Sequence, residues 1–508
     1  MGSPRLALVT AGVVLLAPAT ALAADAEVTS DTAAQFYDVR SPTGENILNR
    51  RRLTTTLAVS AYDLLDAPAG NPSAADLSFR ARVRYDADYG VNGGATDPTN
   101  FGSVVPGLSQ GAVDLMYAYV EGRRLLHGWL GFRLGRQYIV DALGWWSFDG
   151  GQVSATTPFF VKVEGYGGFE QRGGMPLSTA RFEGEGVWRG DRSSYDPSLA
   201  AAFQSAAVAP AFGAALESTG VTWIHGRLTY RRVYDTGPSN VTEYASATYA
   251  PAVYDSGRIS SEKLGYSMDA NLATLGGVKA GVVYDFYNAE MTNLYATVDA
   301  YVAKKVTLSA DYDYYVPTYD ADSIWNFFAG EPMSDLGLRA NVDVTDRLSV
   351  AGGGHLRITE VQTGPLDPGA GTAYSPYPNY AAGQSIYPTN GHPFDEGGNL
   401  SARWRTGETR VTLRGSGNWG AEGDRVGADV AGEHVFETRY VATARTGIWQ
   451  WQDKLEPDRS TTSFNYVLGV GYRFAPRSRA LVEWEHDING LVGQRFRLML
   501  WLTLAVTK

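Results

Sequence analysis

The sequence contains no cysteine. Disulfide-stapled scaffolds and thiolate metal sites are therefore excluded. The 6 histidines show no His-Glu-x-x-His or other ligand spacing, and neither a Gly-x-Ser-x-Gly nucleophile elbow nor a phosphate-cradling glycine loop is present. These absences argue against an enzyme, and we expect neither a metal ion nor a cofactor.

Long apolar runs are absent beyond the first residues. Met1–Ala23 carries one basic residue, Arg5, followed by an apolar stretch and the small-residue pattern Ala21-Leu22-Ala23. This layout is typical of a cleavable secretory signal peptide. After residue 24, no uninterrupted apolar run approaches the roughly 20 residues that a membrane-spanning helix requires. We expect an exported chain that does not cross a membrane with helices.

An excess of basic residues is also absent. The chain has 43 basic and 54 acidic residues, a net charge of −11, and no polybasic stripe. Nucleic acid is therefore excluded as a partner, since its binding depends on such a stripe.

Linkers rich in Pro and Ser are missing too, which favours one continuous architecture. We expect residues 1–23 to be the signal peptide, 24–50 a periplasmic N-terminal segment or the first strand, and 51–508 one barrel domain.

Alternation of apolar and polar residues is what the sequence contains in abundance. In one segment, five apolar residues alternate with five polar ones: Leu77, Phe79, Ala81, Val83 and Tyr85 with Ser78, Arg80, Arg82, Arg84 and Asp86. A period of two predicts a strand with one apolar and one polar face. The same pattern returns in several later segments. A soluble β-sandwich also has such strands, so the number of strands and their connections must discriminate.

Short and long connections alternate along the chain. The short links are Lys304-Lys305, Thr345-Asp346-Arg347, Gly407-Glu408 and Ala475-Pro476-Arg477, and the long ones span 89–110, 139–152, 236–260, 319–333 and 360–396. Short periplasmic turns and long extracellular loops are typical of bacterial outer-membrane barrels. We therefore predict an all-β fold: a single-chain transmembrane antiparallel β-barrel of about 18–22 strands. Twenty-one segments fit, and an even number requires either a further strand at Gln35–Arg40 or a loop at 177–189.

The polar faces of the predicted strands carry many arginines. The arginines predicted to line the lumen are Arg80, Arg82, Arg84, Arg133, Arg227, Arg231, Arg339, Arg357, Arg403, Arg405, Arg410, Arg414, Arg473, Arg495 and Arg497. An opposing acidic wall is predicted from Asp285, Asp299, Asp311, Asp313 and Asp343. Such an arrangement would set up a transverse field that orients dipolar or anionic solutes. Alternatively, the charges pair across adjacent strands and rigidify the wall.

Aromatic residues form two further groups. Trp404, Trp449, Trp451 and Trp484 lie near predicted strand ends, as interfacial girdle residues do. Trp145, Trp146, Tyr374 and Tyr377 lie in predicted long loops and are candidate contacts for sugar rings. Alternatively, the loop aromatics pack an inward-folded loop that narrows the pore.

Three short motifs resemble the N-terminal half of alginate-export-type outer-membrane porins. They are Arg50-Arg51-Arg52-Leu53, Leu134-Gly135-Arg136-Gln137 and Asp149-Gly150-Gly151. The resemblance implies a monomeric barrel that passes an anionic polysaccharide outward through an electropositive pore. The sequence departs from that family in its aspartate-bearing middle strands and in its final residues, Val506-Thr507-Lys508, where the family has a terminal aromatic residue.

From these observations we predict a bacterial outer-membrane channel that exports an exopolysaccharide through an arginine-lined lumen. One alternative is a general or substrate-selective diffusion porin for small anionic or sugar solutes. Another is a plugged adhesin or receptor barrel. The expected partners are outer-membrane lipid, a polysaccharide or small solute and, for an exporter, periplasmic export machinery.

The barrel prediction has a direct test. The purified mature polypeptide should require detergent to stay in solution and should give a β-rich circular dichroism spectrum, because its strands present apolar faces to lipid. A detergent-free soluble protein, or a largely helical spectrum, would overturn the prediction.

Overall fold

The chain folds into one closed antiparallel β-barrel of 22 strands. The structure is a computed structural model, and it describes residues 25–65, 74–88, 112–171, 209–235, 258–287, 289–316, 332–359, 394–420, 423–454 and 456–507. Among these described residues, no helix is long and apolar enough to cross a membrane.

Each strand follows its predecessor around the barrel. The strands are β1 (Ala26–Arg40), β2 (Asn46–Ala61), β3 (Asp76–Asp88), β4 (Ala112–Arg124), β5 (Leu130–Asp141), β6 (Gly144–Thr156), β7 (Val161–Glu170), β8 (Ala209–Ser218), β9 (Ile224–Asp235), β10 (Arg258–Asn271), β11 (Gly276–Asp285), β12 (Glu290–Ala303), β13 (Val306–Tyr315), β14 (Met333–Thr345), β15 (Leu348–Thr359), β16 (Phe394–Thr406), β17 (Thr409–Trp419), β18 (Gly423–Phe436), β19 (Tyr440–Asp453), β20 (Thr461–Ala475), β21 (Ser478–Asn489) and β22 (Gly493–Thr507). Two short helical turns are described, α1 (Leu125–Gly128) between β4 and β5, and Pro457–Arg459 before β20.

The barrel closes between its first and last strands. β1 pairs with β2 on one side and with β22 on the other, from Glu27 opposite Thr507 to Arg40 opposite Gln494. Each strand thus has two neighbours and the sheet has no free edge. Closure satisfies the backbone groups internally, which a hydrocarbon environment demands. It also places the start of β1 and the end of β22 at the end of the barrel that carries the short turns.

The two faces of the wall differ in polarity. Leu400 and Val470 have 61% and 67% of their surface exposed, and they belong to a large set of exposed apolar residues on the alternate positions of the strands. The positions between them carry the charged residues. An apolar outer band around a polar interior is the signature of a transmembrane barrel. The charged face is therefore the lumen face.

The predicted fold class is confirmed, since 22 strands lie within the expected range. The structure places a strand at Ala26–Arg40, which contains Gln35–Arg40. Most of the predicted strand 177–189 and of the loop 360–396 lies outside the described residues.

The prediction of a long loop at 139–152 was wrong. This segment forms most of the β5–β6 hairpin, in which Asp141 pairs with Gly144 across a two-residue turn. Gly144, Gly150 and Gly151 looked like loop residues in the sequence. Gly144 has a φ of +90°, which suits a tight turn, and the other two occupy paired strand positions.

A buried carboxylate ties the last two strands together on the lumen face. The Glu485 side chain is only 3% exposed and forms ion pairs with Arg495 at 2.9 Å and with Arg497. Arg495 also binds Asp487 at 2.6 Å. Because the carboxylate is buried, it depends on both guanidinium partners to compensate for lost hydration.

Removing this carboxylate should weaken the barrel. We expect Glu485→Ala to lower the free energy of unfolding in detergent by about 2–3 kcal/mol, because Arg497 loses its hydrogen bonds to Glu485 and Arg495 keeps only its ion pair with Asp487. The measurement is the denaturant midpoint of the refolded protein. Glu45→Ala, in the exposed turn between β1 and β2, is the control, and equal midpoints for the two variants would contradict the prediction.

Candidate functional site

The β5–β6 hairpin leaves the barrel wall and folds into the lumen. The β4–β5 ladder contains only five pairs, which end where Ala118 faces Arg136. Beyond that point the hairpin tip lies against strands β9 and β10. The Leu143 carbonyl accepts a hydrogen bond of 3.1 Å from Arg231 Nη2, and a Cβ added to Gly265 would meet the Leu143 side chain at 2.8 Å. We call residues 137–147 the lumen hairpin.

Glycines allow the wall to bend where the lumen hairpin departs. Gly135 has a φ of +127°, and a Cβ there would lie 2.3 Å from the Ala118 carbonyl oxygen. Cβ atoms at Gly150 and Gly168 would each meet a carbonyl oxygen of the neighbouring strand at 2.2 Å. A side chain at any of these three positions would push the strands apart.

Arg136 compensates for the interruption of the ladder. Its guanidinium forms a two-pronged ion pair with Asp149, with hydrogen bonds of 2.7 and 2.8 Å. It also donates to the Leu115 carbonyl at 3.0 Å, on the part of β4 that β5 has left. The neighbouring Gln137 amide donates to the Gly150 carbonyl at 3.0 Å. The Leu-Gly-Arg-Gln and Asp-Gly-Gly motifs therefore build the departure point of the lumen hairpin.

An apolar cluster holds the lumen hairpin against the wall. Trp146 and Phe148 stack with ring centroids 4.4 Å apart, and Phe148 is fully buried. The cluster consists of Ile139, Trp146, Phe148, Tyr166, Ala209, Ala211 and Val233. The Trp146 indole N–H donates to Glu170 at 2.8 Å, and the Arg231 guanidinium lies 5.1 Å from the Trp146 ring. Because the aromatic surface is buried and its polar atom is paired, the tip has a defined position.

The opposite face of the lumen hairpin presents aromatic rings to the lumen. Tyr138 is 39% and Trp145 36% exposed, and their ring centroids lie 6.4 Å apart. Tyr138 also lies 6.0 Å from Tyr117, which in turn lies 5.8 Å from Tyr119 on β4. A continuous row of rings therefore runs from the wall onto the hairpin.

Three arginines of β3 lie beside this row. In the β3–β4 register Arg80 faces Tyr119, and Arg82 faces Tyr117. The Arg80 guanidinium lies 5.3 Å from the Tyr62 ring. Arg82 donates to the Thr56 hydroxyl at 3.0 Å and lies 3.6 Å from the Asp31 carboxylate. We define the arginine–tyrosine strip as Arg80, Arg82, Arg84, Tyr117, Tyr119, Tyr138 and Trp145.

All the predicted lumen arginines lie on the lumen face of the strand ladders, and two groups among them differ in their ion pairs. Six have a carboxylate partner on the lumen wall: Arg82 with Asp31, Arg133 with Glu121, Arg227 with Glu164 and Glu217, Arg357 with Asp335, and Arg495 and Arg497 with Glu485. These six match the alternative interpretation, in which the charges pair and rigidify the wall. For Arg403, Arg405, Arg410, Arg414 and Arg473, no ion pair with another described residue is present.

The five predicted acidic-wall residues lie on four consecutive strands. Asp285, Asp299, Asp311, Asp313 and Asp343 lie on the lumen face of β11, β12, β13, β13 and β14. In a ring of 22 strands, β14 is diametrically opposite β3 and its arginines. The two signs are not fully segregated, because Arg339 lies on β14 itself and Arg403 two strands further on β16.

The structure places the aromatic residues that the sequence singled out in several different environments. Trp146 is 5% exposed, so it packs the lumen hairpin and cannot contact a sugar ring. Trp145 faces the lumen, whereas Tyr374 and Tyr377 lie outside the described residues. Trp449 and Trp451 were predicted as girdle residues, but they lie on the lumen face, where Trp449 stacks under the Arg425 guanidinium at 4.7 Å.

The tyrosines of the strip were not identified from the sequence. Tyr117 and Tyr119 alternate with Ala118 and Val120, a signal that assigns them to the lumen face. Their position opposite Arg80 and Arg82 depends on the register between β3 and β4, which alternation within one strand does not reveal. In the described part of the chain, no group of three or more acidic or histidine side chains is arranged to hold a metal ion.

The closed ring, the apolar outer band and the charged lumen define a transmembrane β-barrel protein of the bacterial outer membrane. No protein-family model matches the sequence, and no curated protein is significantly similar to it. The resemblance to alginate-export-type porins is therefore not confirmed at the level of that family, and the outer-membrane β-barrel is the assignment that stands.

Solved structures with similar folds include three from two bacteria. Acinetobacter baumannii OccAB4 is 7% identical with a TM-score of 0.42, over 97% of this chain and 100% of that chain. Pseudomonas aeruginosa OpdK, solved with vanillate, is 8% identical with a TM-score of 0.40, over 96% and 99%. OpdQ from the same organism is 8% identical with a TM-score of 0.41, over 95% and 98%. Similarity this low does not transfer a substrate or a mechanism.

The packing of the lumen hairpin can be tested by electrical recording. Phe148→Ala should release the tip, because truncating a fully buried phenylalanine costs about 3–5 kcal/mol. We expect a larger and noisier single-channel current in planar bilayers. Val140→Ala, at a 68% exposed position of the same hairpin, should leave the current unchanged.

A heat-modifiable band on gel electrophoresis would show that both variants form the barrel. If folded Phe148→Ala conducted like the unmodified protein, the tip would not control the free cross-section of the lumen.

Proposed function

We propose that the protein is a diffusion channel for small anionic solutes. The observation that carries this proposal is the lumen hairpin, whose buried cluster holds its tip inside the barrel. A fixed tip narrows the lumen on one side, which favours the passage of small solutes over a polymer.

The arginine–tyrosine strip supports anionic selectivity. Guanidinium groups on β3 attract a carboxylate or phosphate group and bind it in a forked geometry. The adjacent rings of Tyr117, Tyr138 and Trp145 offer apolar faces that suit a sugar or aromatic ring. A solute that carries both an acidic group and a ring fits both halves of the strip.

The aspartates on the opposite wall support a transverse field across this passage. Asp311 and Asp313 on β13 lie about half the circumference away from β3. Opposite charges on facing walls orient a dipolar solute, and low-dielectric walls between them strengthen the field.

Export of an exopolysaccharide remains the second candidate. Lumen-facing arginines around the wall, from β3 to β22, support it, since an anionic polymer needs repeated contacts along its path. Transport of a small solute needs only one such site. A deletion strain separates the two proposals: loss of surface polymer supports export, and loss of solute entry supports diffusion.

Neutralising the strip should reduce anion preference. We expect Arg80→Gln, Arg82→Gln and Arg84→Gln together to shift the reversal potential in a chloride gradient towards cation preference, because three positive charges leave the lumen. Proteoliposomes should also take up a small acid such as glucuronate more slowly, while uptake of neutral glucose changes less.

The control is Arg357→Gln, a lumen arginine that is paired with Asp335 at 2.8 Å. Unchanged reversal potentials in the triple variant would show that the strip is not in the permeation path. A barrel that proves ion-tight would rule out both channel proposals and favour a plugged receptor.

A further inference from the structure

Two pairs of arginines face each other across adjacent strands at one end of the lumen. Arg405 on β16 lies directly opposite Arg410 on β17, and Arg473 on β20 lies directly opposite Arg479 on β21. Like charges in directly opposed positions destabilise a sheet. Both pairs adjoin short turns, which places them at the periplasmic end of the barrel.

Three of these arginines line one recess. Arg405, Arg410 and Arg473 surround a cavity of about 300 Å³, together with Glu408, Glu433, Val435 and Thr438. Arg405 and Arg410 are exposed and Arg473 is half-buried, so all three guanidinium groups are accessible to a solute in the lumen. The recess is therefore lined by positively charged side chains from both arginine pairs.

The three arginines lack the ion pairs that other lumen arginines make. Among the described residues, no carboxylate oxygen lies within the 4.0 Å ion-pair distance of Arg405, Arg410 or Arg473, although Glu408 and Glu433 line the same recess. By contrast, Arg227 lies 2.5 Å from Glu164, and Arg357 lies 2.8 Å from Asp335. Glu433 lies directly opposite Arg410 in the β17–β18 register and offsets part of the repulsion between the recess arginines, but it forms no ion pair within 4.0 Å with any of the three.

We propose that this recess binds a small multivalent oxyanion of the phosphate class at the periplasmic mouth. Each guanidinium offers a planar fork of donors that matches a phosphate group in two-pronged geometry. An oxyanion between Arg405, Arg410 and Arg473 would replace repulsion by attraction. Glu408 and Glu433 lower the net charge of the recess, so the anion can leave again.

This site is separate from the arginine–tyrosine strip. The recess is formed by β16, β17, β18 and β20, whereas the strip is formed by β3 and β4 with the lumen hairpin. The proposal therefore depends on the barrel but not on the direction of transport or on the identity of the solute that passes the strip.

Calorimetric titration of the refolded full barrel in detergent with inorganic phosphate tests the proposal. We expect saturable binding, and we expect the double variant Arg405→Gln, Arg410→Gln to bind at least roughly tenfold more weakly, a factor that corresponds to about 1.4 kcal/mol. The single variant Arg410→Gln should fall in between. Arg357→Gln, which removes the same charge from a paired lumen position, should bind phosphate like the unmodified protein.

Planar-bilayer recording shows at which end of the barrel the phosphate site lies. Phosphate added on the side of the short turns should reduce the chloride current at lower concentration than phosphate added on the opposite side. The proposal is overturned by equal phosphate binding in the double variant, or by an equal loss in Arg357→Gln.

The recess proposal and the channel proposal can fail independently of each other. An ion-tight barrel that binds phosphate in the titration would support the recess and contradict the channel. A conducting barrel that does not bind phosphate would support the channel proposal and contradict the recess proposal.

Discussion

Backbone hydrogen-bonding groups have no water to bind inside a bilayer, and this constraint governs the whole molecule. The ring of 22 strands meets it by closing β1 onto β22. The same constraint acts where β5 turns away from β4, because carbonyl groups of β4 lose their partners there. Arg136 meets it locally by donating to the Leu115 carbonyl. The fold tolerates an inward hairpin because the Arg136 side chain replaces one of the hydrogen bonds that pairing with β5 would otherwise give to β4.

The lumen wall is divided between paired and unpaired charge. Around β4 to β9 and around β21 and β22, arginines and acids form short ion pairs, with Glu164 and Glu485 buried among their partners. Such pairs fix side chains in place and leave little net charge for a solute. Near the periplasmic turns of β16, β17 and β20, Arg405, Arg410 and Arg473 face the lumen without a carboxylate within ion-pair distance among the described residues. Attraction for an anion depends on this local imbalance, since the chain as a whole is acidic with a net charge of −11.

Alternation along the strands was enough to predict the fold class and the face on which the fifteen predicted lumen arginines lie. It is reliable here because a one-residue slip would bring every apolar side chain into the lumen. Local composition was less reliable. Trp145, Trp146 and the neighbouring glycines looked like a loop, since glycine usually interrupts strands. In the structure, the glycines permit close approach of backbones, and Trp146 is buried under Arg231, which lies 85 residues further along the chain.

The sequence by itself determined that the chain crosses a membrane as strands, because a period of two assigns each residue to lipid or to water without reference to the other strands. Only the tertiary structure decided which charges meet. Arg80 came to lie opposite Tyr119, and Arg473 came to line one recess with Arg405 and Arg410, through the pairing and register of the strands. These features depend on contacts between residues far apart in the chain, and no local pattern specifies such contacts.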